Sequence, residues 1–323
     1  MRHLFSFLFA VIIVILSACK PDDDIVSTET LADQITRGAV LRTKQINNLL
    51  FTPGVGSSTF DVVLEEQDIE NGDLLDKINV FVSYKPTGQS QATTPVLLKE
   101  IGASEFDKSE NDLPLLQLKL TQEEIAEKLE LSLGAIVAKD QFIISLDLVL
   151  TDDRIFNDRN GNPIVIAFNT FFSSPFEYTV NVAPPISDDL FTGIYRFESI
   201  LDGPGGETFI IDEFVTLELG HSPNTRVFKA HHRFHHQGVE PRRPWEFAII
   251  DDETVFEKKQ LSTVERGCTF IDSLILLGPD AANGPVNSAD DSVFELWFVE
   301  GYLGFDGGCG FGTAPSRYRF TKQ

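Results

Sequence analysis

A spacing of two dominates this chain. Phe60, Val62 and Leu64 form one set of alternating apolar residues, and Ile78, Val80, Val82 and Tyr84 a second. Leu116, Leu118 and Leu120 follow, then Phe142, Ile144, Leu146, Leu148 and Leu150, then Phe176, Tyr178, Val180 and Val182. Successive side chains of a strand point to opposite faces, so each set places one face on a core and turns the other to solvent. About seven such runs before Val182 suit an immunoglobulin-like sandwich. One interruption has a helical signature. Thr121-Gln122-Glu123-Glu124 is a capping box with Thr121 at the N-cap, and Ile125, Leu129 and Leu133 give a short apolar stripe ending near Gly134. It predicts one short crossover helix between strands.

Val182-Ala183-Pro184-Pro185-Ile186-Ser187-Asp188-Asp189 breaks the pattern, because two prolines supply no backbone donors to a sheet. Beyond it, apolar runs resume around Phe191 to Ser199, Glu213 to Leu219, Thr225 to His232, Trp245 to Ile250, Cys268 to Leu277, Ser292 to Glu300 and Arg317 to Thr321. Gly- and Pro-rich loops such as Asp202-Gly203-Pro204-Gly205-Gly206 separate them. The expected fold class is all-β: an N-terminal immunoglobulin-like sandwich over 37–183, a linker over 184–189, and an antiparallel barrel or sandwich of lipocalin-like class over 190–323.

The N-terminus carries an address. Arg2 and His3 precede an apolar run from Leu4 to Ala18 that is shorter than the roughly 20 residues a spanning helix needs, so 1–18 is expected to be a signal peptide. It ends in Leu16-Ser17-Ala18-Cys19, which resembles the lipobox of bacterial lipoproteins. That resemblance implies cleavage before Cys19, a diacylglyceryl group on its sulfur and an acyl chain of the palmitate type on the new amine. Two or more chains anchor firmly, at about 0.8 kcal/mol per buried methylene. Lys20-Pro21-Asp22-Asp23-Asp24 follows and looks like the acidic tract that directs Bacteroidetes lipoproteins to the cell surface, with 19–36 as a solvated tether. Cys19 apart, Cys268 and Cys309 are the remaining thiols, and two cysteines in an exported chain suggest a disulfide. Two free buried thiols are the alternative. The net charge of −23 excludes a general nucleic-acid binder.

Several segments resemble flavobacterial surface lipoproteins. These are Arg37-Gly38-Ala39-Val40-Leu41-Arg42-Thr43, Gly72-Asp73-Leu74-Leu75, Phe171-Phe172-Ser173-Ser174-Pro175-Phe176-Glu177-Tyr178-Thr179-Val180, and Asp188-Asp189-Leu190-Phe191-Thr192-Gly193-Ile194-Tyr195. Such proteins are similar in organisation to the accessory, SusE/F-like lipoproteins of SusC/SusD-type uptake systems. The resemblance implies an outer-membrane location facing the cell exterior, an oligosaccharide ligand or a SusC/SusD-like partner complex, and no catalytic residues to carry over.

Three constellations invite a chemical role. His231, His232, His235 and His236 are dense enough to suggest zinc, but their flanks read as strand. On a strand, His231 and His235 would stand about 13 Å apart and His231 and His232 would face opposite ways, so no metal site is expected. Trp297 and Glu295 share the face opposite Phe294, Leu296 and Phe298. An aromatic plane beside a carboxylate suits a sugar, and this pair is the candidate ligand site. Trp245 shares parity with Phe247 and Ile249 and is expected in the core. The acidic segment from Thr151 to Asn162 suggests calcium at first sight. Setting Gly161 at the invariant glycine puts Phe156 at the first ligand position and leaves the closing Glu missing. Asn160-Gly161 is instead expected to turn a hairpin. No GxSxG, P-loop or dinucleotide fingerprint occurs, so a non-enzyme without cofactor is expected. A degradative enzyme with an unfamiliar site and a structural or adhesive surface protein are the alternatives.

Overall fold

Each period-two set between Phe60 and Val182 lies on or against a strand, and each of its marked residues is buried. The computed structural model describes residues 38–167, 171–210, 212–233, 242–264, 274–302 and 310–323. The signal segment, the tether with Cys19, His235, His236, and the proposed Cys268–Cys309 pair lie outside them.

The first half comprises β1 (Val40–Asn48), β2 (Leu50–Phe51), β3 (Thr59–Gln67), β4 (Leu75–Lys85), β5 (Val96–Gly102), β6 (Asp107–Lys108), β7 (Pro114–Thr121), β8 (Gln141–Leu150), β9 (Ile155–Phe156) and β10 (Glu177–Val182). One sheet has the order β1-β3-β7-β6 and the other β2-β10-β8-β4-β5, with β9 added to β8. Their inner faces enclose a single, mostly aliphatic core. The chain passes from the first sheet to the second at Leu49, so β1 and β2 belong to opposite layers. Register is held by burial. A one-residue slip of β8 would expose Phe142, Ile144, Leu146 and Leu148, each worth about 1.5–3 kcal/mol when buried.

The predicted crossover helix is α1 (Gln122–Lys128), which carries the chain from β7 in one sheet toward β8 in the other. The Glu124 backbone N–H donates to the Thr121 hydroxyl at 3.1 Å, so Thr121 is the N-cap the sequence predicts. Ile125 and Ala126 bury its inner face.

The second half comprises β11 (Gly193–Leu201), β12 (Phe214–Leu219), β13 (Thr225–Ala230), β14 (Arg243–Ile250), β15 (Glu253–Phe256), β16 (Gln260–Val264), β17 (Leu274–Pro279), β18 (Gly284–Pro285), β19 (Val293–Glu300) and β20 (Ala314–Lys322). They form one antiparallel sheet of ten strands in the order β16-β17-β19-β20-β11-β12-β13-β14-β15-β18. The sheet curls until β15 and β18 lie against β19. The Thr254 hydroxyl donates to the Glu295 carbonyl at 2.6 Å, and a Cβ at Gly284 would meet that carbonyl oxygen at 2.2 Å. The interior is packed with rings. Phe197 stacks on Tyr318 with centroids 4.4 Å apart, and Phe294 on Phe320 at 4.7 Å. Trp245 is fully buried among them, as its parity predicts, and its indole N–H donates to the Ala230 carbonyl.

The two halves meet through ordered backbone. Arg226, itself fully buried, donates to the carbonyls of Ser187, Leu190, Pro223 and Thr225. Asn224 accepts from the Ile186 N–H and donates to the Pro184 carbonyl. Ser222 accepts from the Leu49 N–H at 2.7 Å. Leu50 and Ala183 pack with Ala248 and Ile250 in a small apolar cluster. Among the described residues, no helix is long and apolar enough to cross a membrane.

Candidate functional site

A cavity of about 360 Å³ opens on the outer face of the sandwich. Its floor follows from strand alternation. Phe142, Ile144, Leu146 and Leu148 face the core, so Ser145 and Asp147 of β8 face outward. Pairing sets Phe81 of β4 level with Ser145 on one side and Glu177 of β10 level with it on the other. One outward row across three strands therefore presents an aromatic ring, a hydroxyl and a carboxylate. Pro95, just before β5, adds a second apolar wall.

The overhanging wall comes from the segment after β9. The Asn157 side-chain amide donates to Asp147 Oδ1 at 2.9 Å, and the Arg159 guanidinium stands 3.6 Å from the same oxygen. This is the acidic segment considered above for calcium. The expected hairpin exists, but its turn is at Asp152–Asp153, with Asp153 at φ 64, rather than at Asn160-Gly161. The Asn160 side chain instead accepts from the Asn157 N–H and donates to the Ile155 carbonyl, folding the segment back over β8. A two-residue stub of strand satisfied by side-chain bonds leaves no second arm for an Asn-Gly turn to join.

The second half of the chain supplies the counter-charges. Lys258, between β15 and β16, lies 3.6 Å from Glu177, and its neighbour Lys259 is in contact with Asp158. Burial pushes the Lys259 ammonium down to about 8. Asp147, Asp158 and Glu177 are thus matched by Arg159, Lys258 and Lys259. A cleft with balanced charge, an aromatic floor and several hydrogen-bonding groups suits a neutral, hydroxyl-rich ligand better than an ion.

Trp297 and Glu295 do face outward, on the side of β19 opposite the core residues Phe294, Leu296 and Phe298. The two are engaged with each other and with β20. The indole N–H donates to Glu295 Oε2 at 3.0 Å, Arg319 reaches Glu295 Oε1 at 2.9 Å, and the Arg317 guanidinium sits 3.9 Å from the Trp297 ring centre. A sugar stacking here must displace Arg317 or use the other ring face.

His231 and His232 lie just past the end of β13 at Ala230, with His232 in an isolated bridge to Phe209, and the two side chains meet different partners. The His231 N–H donates to Asp212 Oδ2 at 2.8 Å, while Arg242 holds Asp212 Oδ1 at 2.7 Å. His232 is fully buried, with Nε2 3.6 Å from Glu300 Oε2, and burial pushes its imidazole below the ordinary value. Arg233 engages both oxygens of Glu300, with Nη1 at 2.7 Å. Burial pushes the Glu300 carboxyl up, but His232 and Arg233 together outweigh it and hold it below the usual carboxylate range. Among the described residues, no group of three or more His, Cys, Asp or Glu is placed to hold a metal ion.

Sequence patterning therefore located the outward pair on β19 but not the cleft. Phe81, Ser145, Asp147 and Glu177 lie on three strands far apart in the chain, and only pairing registers bring them level. The one local signal was the polar segment after Leu150. A scan against protein-family models finds no match to this chain, and a search of the curated proteins finds none either.

Proposed function

We propose that the chain is a non-catalytic lipoprotein, anchored through Cys19 to the outer membrane and displayed on the cell exterior, that holds a neutral glycan in the cleft between β4, β8 and β10. The observation that carries the ligand is the outward row Phe81, Ser145 and Glu177 with Asp147 and Asn157 beside it. Phe81 and Pro95 offer apolar surface to the C–H faces of a sugar ring, while the carboxylates and the amide accept and donate to its hydroxyls. The location rests on the lipobox-like Leu16-Ser17-Ala18-Cys19 and the acidic tract after it. A SusC/SusD-like transporter complex would be the neighbour to which such a protein delivers its ligand.

Glycan arrays test the binding, and Phe81→Ala and Asp147→Asn should each weaken it about tenfold, or 1.4 kcal/mol. Failure of every neutral glycan to bind, or binding indifferent to both variants, overturns the cleft assignment. Mass spectrometry of the native chain should find diacylated or triacylated Cys19 as the first residue. Incubation with polysaccharides should give no shortened products, and their appearance would favour the degradative alternative.

A further inference from the structure

The opposite outer face of the sandwich carries a second depression, of about 400 Å³, with a different charge balance. Arg42 of β1 lies across from Glu65 of β3, donating to Glu65 Oε1 at 2.5 Å and to Gln67 Oε1 at 3.0 Å. Its Nε donates to the Phe171 carbonyl at 3.1 Å, and its guanidinium lies 5.2 Å from the Phe171 ring centre. The guanidinium thus backs one face of a ring that is 79% exposed. Lys44 stands two residues further along β1, its ammonium 3.7 Å from Glu65 Oε2, a looser pair than Arg42 makes. Asn71, Asn111 and Leu113 complete the rim.

The lining charges are Arg42 and Lys44, and the buried Glu65 beneath them offsets one, which leaves one net positive charge on a chain of net charge −23. Arg42 already spends its short bonds on Glu65 and Gln67, so Lys44 is the charge left to meet a ligand. A cation, an exposed ring and three side-chain amides at one groove call for a molecule with a carboxylate, an apolar face and hydroxyl groups. We infer that this groove binds an acidic saccharide, with the sugar ring on Phe171, its carboxylate at Lys44, and its hydroxyls at Gln67, Asn71 and Asn111.

The site is independent of the neutral-glycan cleft, which lies on the other sheet. The test is calorimetric titration of the full chain with an oligogalacturonate, a neutral oligosaccharide of equal length, and inorganic sulfate. The oligogalacturonate should bind, more weakly as salt is added. Lys44→Gln and Phe171→Ala should each reduce its affinity about tenfold, while Asp147→Asn leaves it unchanged. Phe171→Ala alters an exposed side chain, and an unchanged circular dichroism spectrum and melting curve will show that it folds. No saturable uronate binding at roughly 1 mM overturns the inference. So does uronate binding matched by sulfate and indifferent to Phe171→Ala, which would make the groove an ion patch. Neutral-glycan binding that depends on Asp147 with no uronate binding would overturn this site and leave the cleft standing.

Discussion

Glu66 in the sandwich and Glu300 in the curled sheet occupy equivalent places and are treated in opposite ways. Glu66 continues the inward face of β3 after Phe60, Val62 and Leu64, and Glu300 continues that of β19 after Phe294, Leu296 and Phe298. Both are fully buried. Neither oxygen of Glu66 has a hydrogen-bond partner, and burial, with a smaller contribution from Asp68, pushes its carboxyl up to about 8. Glu300 is gripped by Arg233 and approached by His232, and stays ionised. A Cβ at Gly203 would meet Glu300 Oε1 at 2.4 Å, so a glycine lets the loop after β11 close over the pair. An inward acid at a strand end is thus tolerated by taking up a proton in one half and by pairing in the other.

A large effect at any one pH should come from breaking the pair. Arg233→Met leaves Glu300 buried beside His232 alone and should lower the unfolding free energy by about 4 kcal/mol in urea denaturation. Adding Glu300→Leu to that variant should recover most of the loss, because an apolar pair needs no counter-charge. A single-variant loss under about 1 kcal/mol would mean that the pair behaves like a surface ion pair, and the contrast with Glu66 would collapse.

The next effect concerns pH. The folded-state value of Glu66, about 8, lies above its ordinary value of 4.5, so between the two the native state keeps a proton that the unfolded chain has released. This group's contribution is therefore most favourable below pH 4.5 and declines as pH rises toward 8, by about 5 kcal/mol in all. Glu66→Gln removes that dependence. The difference in stability between variant and native chain should grow in the variant's favour across that window and level off above it. A difference that stays flat with pH would show that Glu66 is not protonated in the fold.

Alternation made most of the architecture legible, including inward faces on β3, β4, β7, β8 and β10, the outward place of Trp297 and the buried place of Trp245. It named no run for β1, β2, β5, β6, β9 or β18, nor for β15 and β16 beside the cleft. The last two are short, and Glu257-Lys258-Lys259 between them breaks the apolar rhythm. Those same lysines pair with Glu177 and Asp158 of the cleft, so the charges that hid the strands also counter the site's acids. Glu65 and Glu66 were equally hidden. Consecutive glutamates at a strand end read as a solvated edge, and only the packing of Arg42 over one and of the core over the other buries both.

The smallest expected effect separates the two causes acting on Glu66. Asp68 accepts from the N–H groups of Glu70 at 2.7 Å, Gly72 at 3.0 Å and Leu74 at 2.9 Å, and so shapes the loop that covers Glu66. Asp68→Asn keeps one acceptor oxygen and forfeits the other, a loss of about 1 kcal/mol. It also removes the neighbouring negative charge. The Glu66 midpoint, read from the pH-dependent stability difference between Asp68→Asn and Asp68→Asn/Glu66→Gln, should fall somewhat but remain far above the carboxylate range, because burial is the larger cause. A fall to the ordinary range would make Asp68 the controlling group. Glu66 and Glu300 would then differ only in the sign of the charge beside them, and not in whether the fold gives a buried acid a partner.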